Sequence, residues 1–193
     1  MRAIRCLAVI LLLTSLRASA HDEGEGGAGF LVGLLHPALG FDHLLAMLCV
    51  GILSAQIGGR ALWVVPLTFV CVMIVGGLIG GYDIDLPLVE SGIALSVTVL
   101  GIALAAEKNM AIVWAMLFVG FFAIFHGHAH GAEMPDVGEP LLYGMGFVTG
   151  TAIIHLSGVG IGLFSNKITR GPALLRVSGA GIAVIGLLML FGI

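Results

Sequence analysis

The stretch "HPALGFDH", His36 to His43, places two imidazoles and a carboxylate inside an otherwise lipid-soluble run. A second stretch, "FHGHAHGAE" from Phe125 to Glu133, adds three histidines and a glutamate, and His155 stands alone in "TAIIHLSG". A charge at the centre of a bilayer costs at least ~2.5–3.5 kcal/mol on insertion scales, so ionisable groups retained in an apolar setting point to function. Imidazole with carboxylate and without thiolate suits borderline divalent metals such as nickel, cobalt or zinc. It suits neither copper(I) nor the all-oxygen preference of magnesium and calcium. On a helix His126 and His130 share a face, Glu133 follows three residues on, and His128 points away. The metal ligands expected from the sequence are therefore His36, Asp42, His43, His126, His130 and Glu133, with His155 as a deeper station. Any one histidine could instead be a satisfied interhelical hydrogen-bond donor, and for His155 the two explanations stand level. Five histidines and two acids in two short segments exceed what such chance pairing supplies. Glu90 reads as interfacial, and His21 and His128 as solvated residues at the mouth.

These groups must be positioned by apolar elements. Of 193 residues, 59% are hydrophobic and 10% charged, and the mean hydropathy is +1.15. That balance belongs to an integral membrane protein. The formal net charge of -3 offers none of the clustered Lys and Arg that nucleic-acid binding demands. Residues 1–20 read as a cleaved signal peptide: Arg2 and Arg5, the apolar core "CLAVILLL", then the small-residue site Ala18 to Ala20. The apolar core is shorter than the ~20 residues a span needs, which argues against an uncleaved first helix. Cleavage would remove Cys6, and Cys49 and Cys71 read as small hydrophobes.

Residues 21–193 are expected to form one all-α integral membrane domain, a bundle of six transmembrane helices. The apolar stretches lie near 29–56, 61–81, 86–106, 110–130, 140–165 and 173–193. Their short connections predict antiparallel neighbours packed side by side. Beyond the signal peptide the basic residues are Arg60, Lys108, Lys167, Arg170 and Arg176, all toward one side of the membrane. The opposite loops carry Asp83, Asp85, Glu133, Asp136 and Glu139, and Asp22, Glu23 and Glu25 lie at the mature N-terminus. The positive-inside rule makes the basic side cytoplasmic and the N-terminus periplasmic. Trp63 and Trp114 near one set of ends, and Tyr82 and Tyr143 near the other, read as interfacial anchors. "GGLIGG" (76–81) and "GVGIG" (158–162) read as close helix packing rather than phosphate loops, since no GK[ST] follows. The first stretch is too long for one untilted span. A helix opening at Pro37 and running to about Gln56 would resolve this, leaving "GFLVGLL" as an interfacial or re-entrant piece. His36 would then stand at the break, with Asp42 and His43 roughly 8 Å along the helix. By the same rise His126 lies about 24 Å up its span and His155 about 22 Å down from Pro140.

The two His-rich stretches carry a resemblance to the HupE/UreJ family of bacterial nickel permeases. The pattern HPxxGxDH is matched by His36, Pro37, Gly40, Asp42 and His43. The pattern HGxAHGxExP is matched by His126, Gly127, Ala129, His130, Gly131, Glu133 and Pro135. His128 and the acidic "HDEGEG" lie outside both. The resemblance implies secondary uptake of Ni²⁺, with Co²⁺ next, through the bacterial inner membrane for metalloenzyme maturation. It implies a transporter rather than an enzyme, with no prosthetic group. The partners expected are the divalent ion and the lipid bilayer, with a homo-oligomer left open. From the residues alone, an intramembrane zinc-dependent hydrolase and a non-transporting metal-binding membrane protein remain alternatives.

Overall fold

In a computed structural model, residues 28–106, 110–135 and 139–193 are described; residues 1–20, expected from the sequence to be a signal peptide, and His21, Lys108 and Asp136 lie outside them. The architecture is all-helical, as the composition requires, because a chain in hydrocarbon can satisfy its own backbone only as helices or a closed barrel. The elements are α1 (Ala28–Leu35), a 3₁₀ turn (His36–Ala38), α2 (Phe41–Ile57), α3 (Ala61–Gly81), α4 (Val89–Ala106), α5 (Ile112–Ala132), α6 (Pro140–Ser165) and α7 (Gly171–Leu190). Among the described residues, five helices, α3 to α7, are long and apolar enough to cross a membrane. The α1–α2 pair, bent by 78° at its break, makes a sixth span if taken as one.

The break falls where proline and glycine put it. Pro37 has no N–H to continue α1 and its ring is buried against α6, close to where a Gly150 side chain would stand. Gly40 then takes an extended conformation, φ −84° and ψ 116°, as the N-cap of α2. The helix therefore opens at Phe41, four residues later than the sequence suggested, and runs to Ile57. Pro37 belongs to the 3₁₀ turn instead of opening α2. Asp42 and His43 consequently occupy the first turn of α2, where the helix dipole favours a carboxylate.

Packing departs from the neighbour-on-neighbour expectation. The closest partners are α3 with α5, α4 with α7, and α6 with both α1 and α2. Glycines explain why. A Cβ on Gly76 or Gly80 would strike the carbonyl oxygens of Ile124 or His128, and one on Gly127 or Gly131 those of Met73 or Gly77. Gly51 lies likewise against His155, and Gly158 against Leu48. Residue numbers rise together in the α3–α5 contacts, and from Gly51 on His155 and Val159 to Ala55 on Gly162, so α3 runs parallel to α5 and α2 parallel to α6. Gly101 meets Gly179 and Ala183 while Gly186 meets Thr98, so α4 and α7 are antiparallel. Short turns join helices in sequence, but backbones approach most closely where glycine removes the Cβ, and those positions select partners further along the chain. The stretches at 76–81 and 158–162 thus serve packing, as their composition indicated.

Charge is segregated. Arg60, Lys167 and Arg170 lie in the turns at one end, and Asp83, Asp85, Glu133 and Glu139 in those at the other. Trp63 and Trp114 are exposed at the basic end and Tyr82 at the acidic end. Tyr143 breaks the expected pattern. It is buried, 4% exposed, because α6 turns that face toward the break between α1 and α2.

Candidate metal site

The α1–α2 break projects His36 into the bundle, and the paired glycines of α3 and α5 draw the buried histidine face of α5 toward it. His36 meets His130 with ring centroids 5.1 Å apart. His43 lies 4.1 Å from His130 and 4.8 Å from His126. Four imidazoles from two segments more than eighty residues apart in sequence thus form one continuous row. His43, His126 and His130 are all buried.

Ligand atoms of His36, His130 and Glu133 lie within 4.8 Å of one another. Two donors at about 2.1 Å from one ion sit at most about 4.2 Å apart, so modest side-chain rotation would close this group on a metal. Glu133 caps α5 and is exposed, giving the group an open side toward the acidic end.

Hydrogen bonds decide which lone pairs the other two rings offer. Asp42 Oδ1 accepts from the His43 backbone N–H at 2.8 Å and from His43 Nδ1 at 2.9 Å. A carboxylate only accepts, so a proton is on Nδ1, which leaves Nε2, a buried atom without a partner, as the nitrogen able to offer a lone pair to a cation. Asp42 thereby orients the ring, in the carboxylate–histidine arrangement common behind metal ligands. Gly40 makes room for the pair: a Cβ there would lie 3.0 Å from His43 Nδ1 and 3.3 Å from Asp42 Oδ1. At His126, Nε2 lies 2.8 Å from Ser96 Oγ, which is also 2.6 Å from the Ile93 carbonyl. The carbonyl can only accept the one hydroxyl proton, so His126 Nε2 donates to the serine and its buried Nδ1 carries the free lone pair. Both ring nitrogens of His130 and of His155 are buried without partners. Buried polar atoms normally find partners, and this concentration of bare nitrogens fits a site that receives a cation.

His155 stands apart, with Phe69 between. The Phe69 ring lies 5.5 Å from that of His126 and 5.0 Å from that of His155. His128 Nε2 donates to the Ile84 carbonyl at 2.8 Å, away from the row, and Glu90 is exposed on the first turn of α4. The sequence reading missed Tyr143, Phe147, Phe69 and Ser96. Tyr143 and Phe147 pack on His36 at 5.7 and 6.1 Å, and Phe147 on His130 at 4.5 Å. Their signal was the spacing of four that puts Tyr143, Phe147, Thr151 and His155 on one face of α6. Ser96 had no such signal, since nothing local marks it as a partner of a helix thirty residues on.

The profile of the HupE / UreJ protein family matches residues 9–189. The chain belongs to the HupE/UreJ family. It is 41% identical over 184 residues to Protein HupE of Rhizobium leguminosarum bv. viciae, covering 94% of this chain and 95% of that one. No solved structure matches it. The two patterns that carried the resemblance in the sequence are the segments that supply the row of rings: one gives the α1–α2 break, the other the inward face of α5. In this HupE/UreJ chain the row is framed by Phe147 and Tyr143 of α6 and Phe69 of α3.

Proposed function

We propose that the protein is a secondary permease of the bacterial inner membrane for a divalent transition metal, Ni²⁺ first and Co²⁺ next. The observation that carries this reading is the ligand group His36, His130 and Glu133, opening at the acidic end and continued inward by the unpartnered nitrogens of His43 and His126. The positive-inside rule puts the basic turns in the cytoplasm and the acidic end in the periplasm. Acidic turns at the mouth raise the local concentration of cations. An arriving ion exchanges water for His36, His130 and Glu133. It then passes to His43 and His126, whose free lone pairs are fixed by Asp42 and Ser96. Phe69 is the apolar barrier before His155, and a shift that moves its ring completes the transfer toward the cytoplasm. Nitrogen-rich coordination with a single carboxylate favours nickel and cobalt over the oxygen-seeking magnesium and calcium. Supply of the metal to hydrogenase or urease maturation follows from the family resemblance.

The test is radiolabelled nickel uptake in cells lacking their own high-affinity importers. The unmodified protein is compared with His43→Ala and His130→Ala at matched expression, with cobalt and zinc as competitors. Uptake that requires both histidines is expected. A folded, metal-loaded protein that moves no nickel would overturn the permease reading and favour an intramembrane hydrolase.

A further inference from the structure

Among the described residues, three hydroxyl side chains have no solvent exposure at all: Ser54, Ser96 and Thr151. Ser54 and Ser96 donate to carbonyls of their own helix, Val50 at 2.7 Å and Ile93 at 2.6 Å. Thr68, Thr98 and Thr149 do the same one turn back. Such back-bonding is the usual resort of a hydroxyl within a helix. Thr151 instead reaches across to α3, where its Oγ1 lies 3.9 Å from Met73 Sδ. A thioether is a weak acceptor, so this contact is a poor substitute for a carbonyl. The hydroxyl donates to the sulfur, so the lone pairs of the threonine oxygen and the second lone pair of the sulfur lie together between two helices.

The place matters more than the contact. On α6, Phe147, Thr151 and His155 follow at intervals of four on one buried face. Phe147 packs on His130, and His155 packs on Phe69. On α3, Met73 is one turn from Phe69 and, like it, 1% exposed. The Thr151–Met73 contact is therefore midway between the level of His130 and the level of His155. Eight residues of helix cover about 12 Å. One ion cannot be held from both ends of that interval, because its ligands lie within about 4.2 Å of each other.

We propose that the Met73 thioether, aligned by the Thr151 hydroxyl, is a further ion-coordinating site between His130 and His155, and that its softness selects nickel and cobalt over manganese. This rests on the permease reading above. Soft thioether donors discriminate against ions that prefer carboxylate, carbonyl and water, and manganese is the weakest binder of the divalent first-row series. A methionine that merely fills a gap would leave selectivity untouched when replaced by a residue of its own size.

Met73→Leu and Thr151→Val are therefore compared with the unmodified protein for nickel uptake and for its competition by manganese, in the same importer-deficient cells. Nickel binding by each purified full-length protein is titrated in detergent. Met73→Leu is expected to bind nickel with unchanged affinity at the His36 group. Its uptake, and its preference for nickel over manganese, should each fall on the order of tenfold, the scale on which removing a supporting group acts at metal sites. Thr151→Val should shift both in the same direction by less. Unchanged rate and selectivity in Met73→Leu would overturn the proposal while leaving the permease reading intact. If Met73→Leu fails to fold, Thr151→Val decides, and unchanged selectivity there rejects it. If the unmodified protein moves no nickel, the permease reading falls and this proposal with it.

Discussion

Asp42 Oδ1 accepts a hydrogen bond from His43 Nδ1 at 2.9 Å, on the first turn of the helix that follows the break. The relationship turns the unpartnered Nε2 of His43 toward the bundle interior as an acceptor of a cation. Asp42 thus acts through His43. Asp42→Ala should keep the fold and weaken nickel binding by about 10–100-fold, the range found when a ligand's supporting partner is removed. Isothermal titration of the solubilised protein measures this. Undiminished affinity would mean that His43 is oriented by something else.

Ser96 makes the matching choice for His126. Ser96→Ala removes a buried hydrogen bond and leaves Nε2 of His126 without a partner, at a cost of about 1–3 kcal/mol of stability. Nickel affinity should drop as well, because the ring can then present the wrong tautomer. Ser96→Thr keeps the hydroxyl and should restore both. Thermal unfolding in detergent, read beside the nickel titration, separates a tautomer effect from simple loosening, in which stability would fall and affinity would not.

Proton and metal compete for the same imidazole lone pairs. Ligands must be deprotonated to bind, so affinity should rise with pH and fall as pH drops. Affinity should therefore climb steadily from acid toward neutral pH. Nickel titrations across that range, in buffers of different protonation enthalpy, would show protons released on binding. A flat profile would argue against histidine coordination.

Glycine positions separate packing from mere composition. At Gly127 a methyl group would run into the Met73 carbonyl, whereas nothing lies within 4 Å of a Cβ at Gly160. Gly127→Ala should therefore destabilise the bundle by about 1–3 kcal/mol, as overpacking commonly does. Gly160→Ala should be neutral or slightly stabilising, given the helix preference for alanine. Melting temperatures of the two purified variants make the comparison. Equal melting temperatures would mean that the α3–α5 interface can open without penalty.

Much of this was legible in the sequence because lipid simplifies the problem. Apolar runs of span length must become helices: the helix expected near 140–165 spans Pro140–Ser165, and the one expected near 110–130 spans Ile112–Ala132. The row of histidines was legible because ionisable groups stand out against such a background. The start of α2 was misplaced because Pro37 can open a helix or sit in a 3₁₀ turn, and the choice was made by Gly40 three residues later. Tyr143 was misread because a tyrosine near a span end suits an interface equally well; only the turn of α6 against the break buries it. Which helices embrace depends on glycines meeting glycines across the bundle, a pairing that sequence neighbourhood does not encode.

Phe69 offers the sharpest separation of binding from movement. Its ring is 1% exposed and lies between His126 and His155, with no polar group of its own to offer a passing ion. If the ion must displace this ring, enlarging it should block passage without touching the ligands on the far side of His43. Phe69→Trp is expected to cost about 1–3 kcal/mol through overpacking. It should retain nickel binding at His36, His130 and Glu133 and lose most uptake. Phe69→Leu keeps the barrier apolar but narrower, and should transport at least as fast as the unmodified protein while losing some stability. Uptake in cells and binding in detergent, measured on the same variants, distinguish the outcomes. Full uptake by a well-folded Phe69→Trp protein would place the route elsewhere and leave His155 off the path.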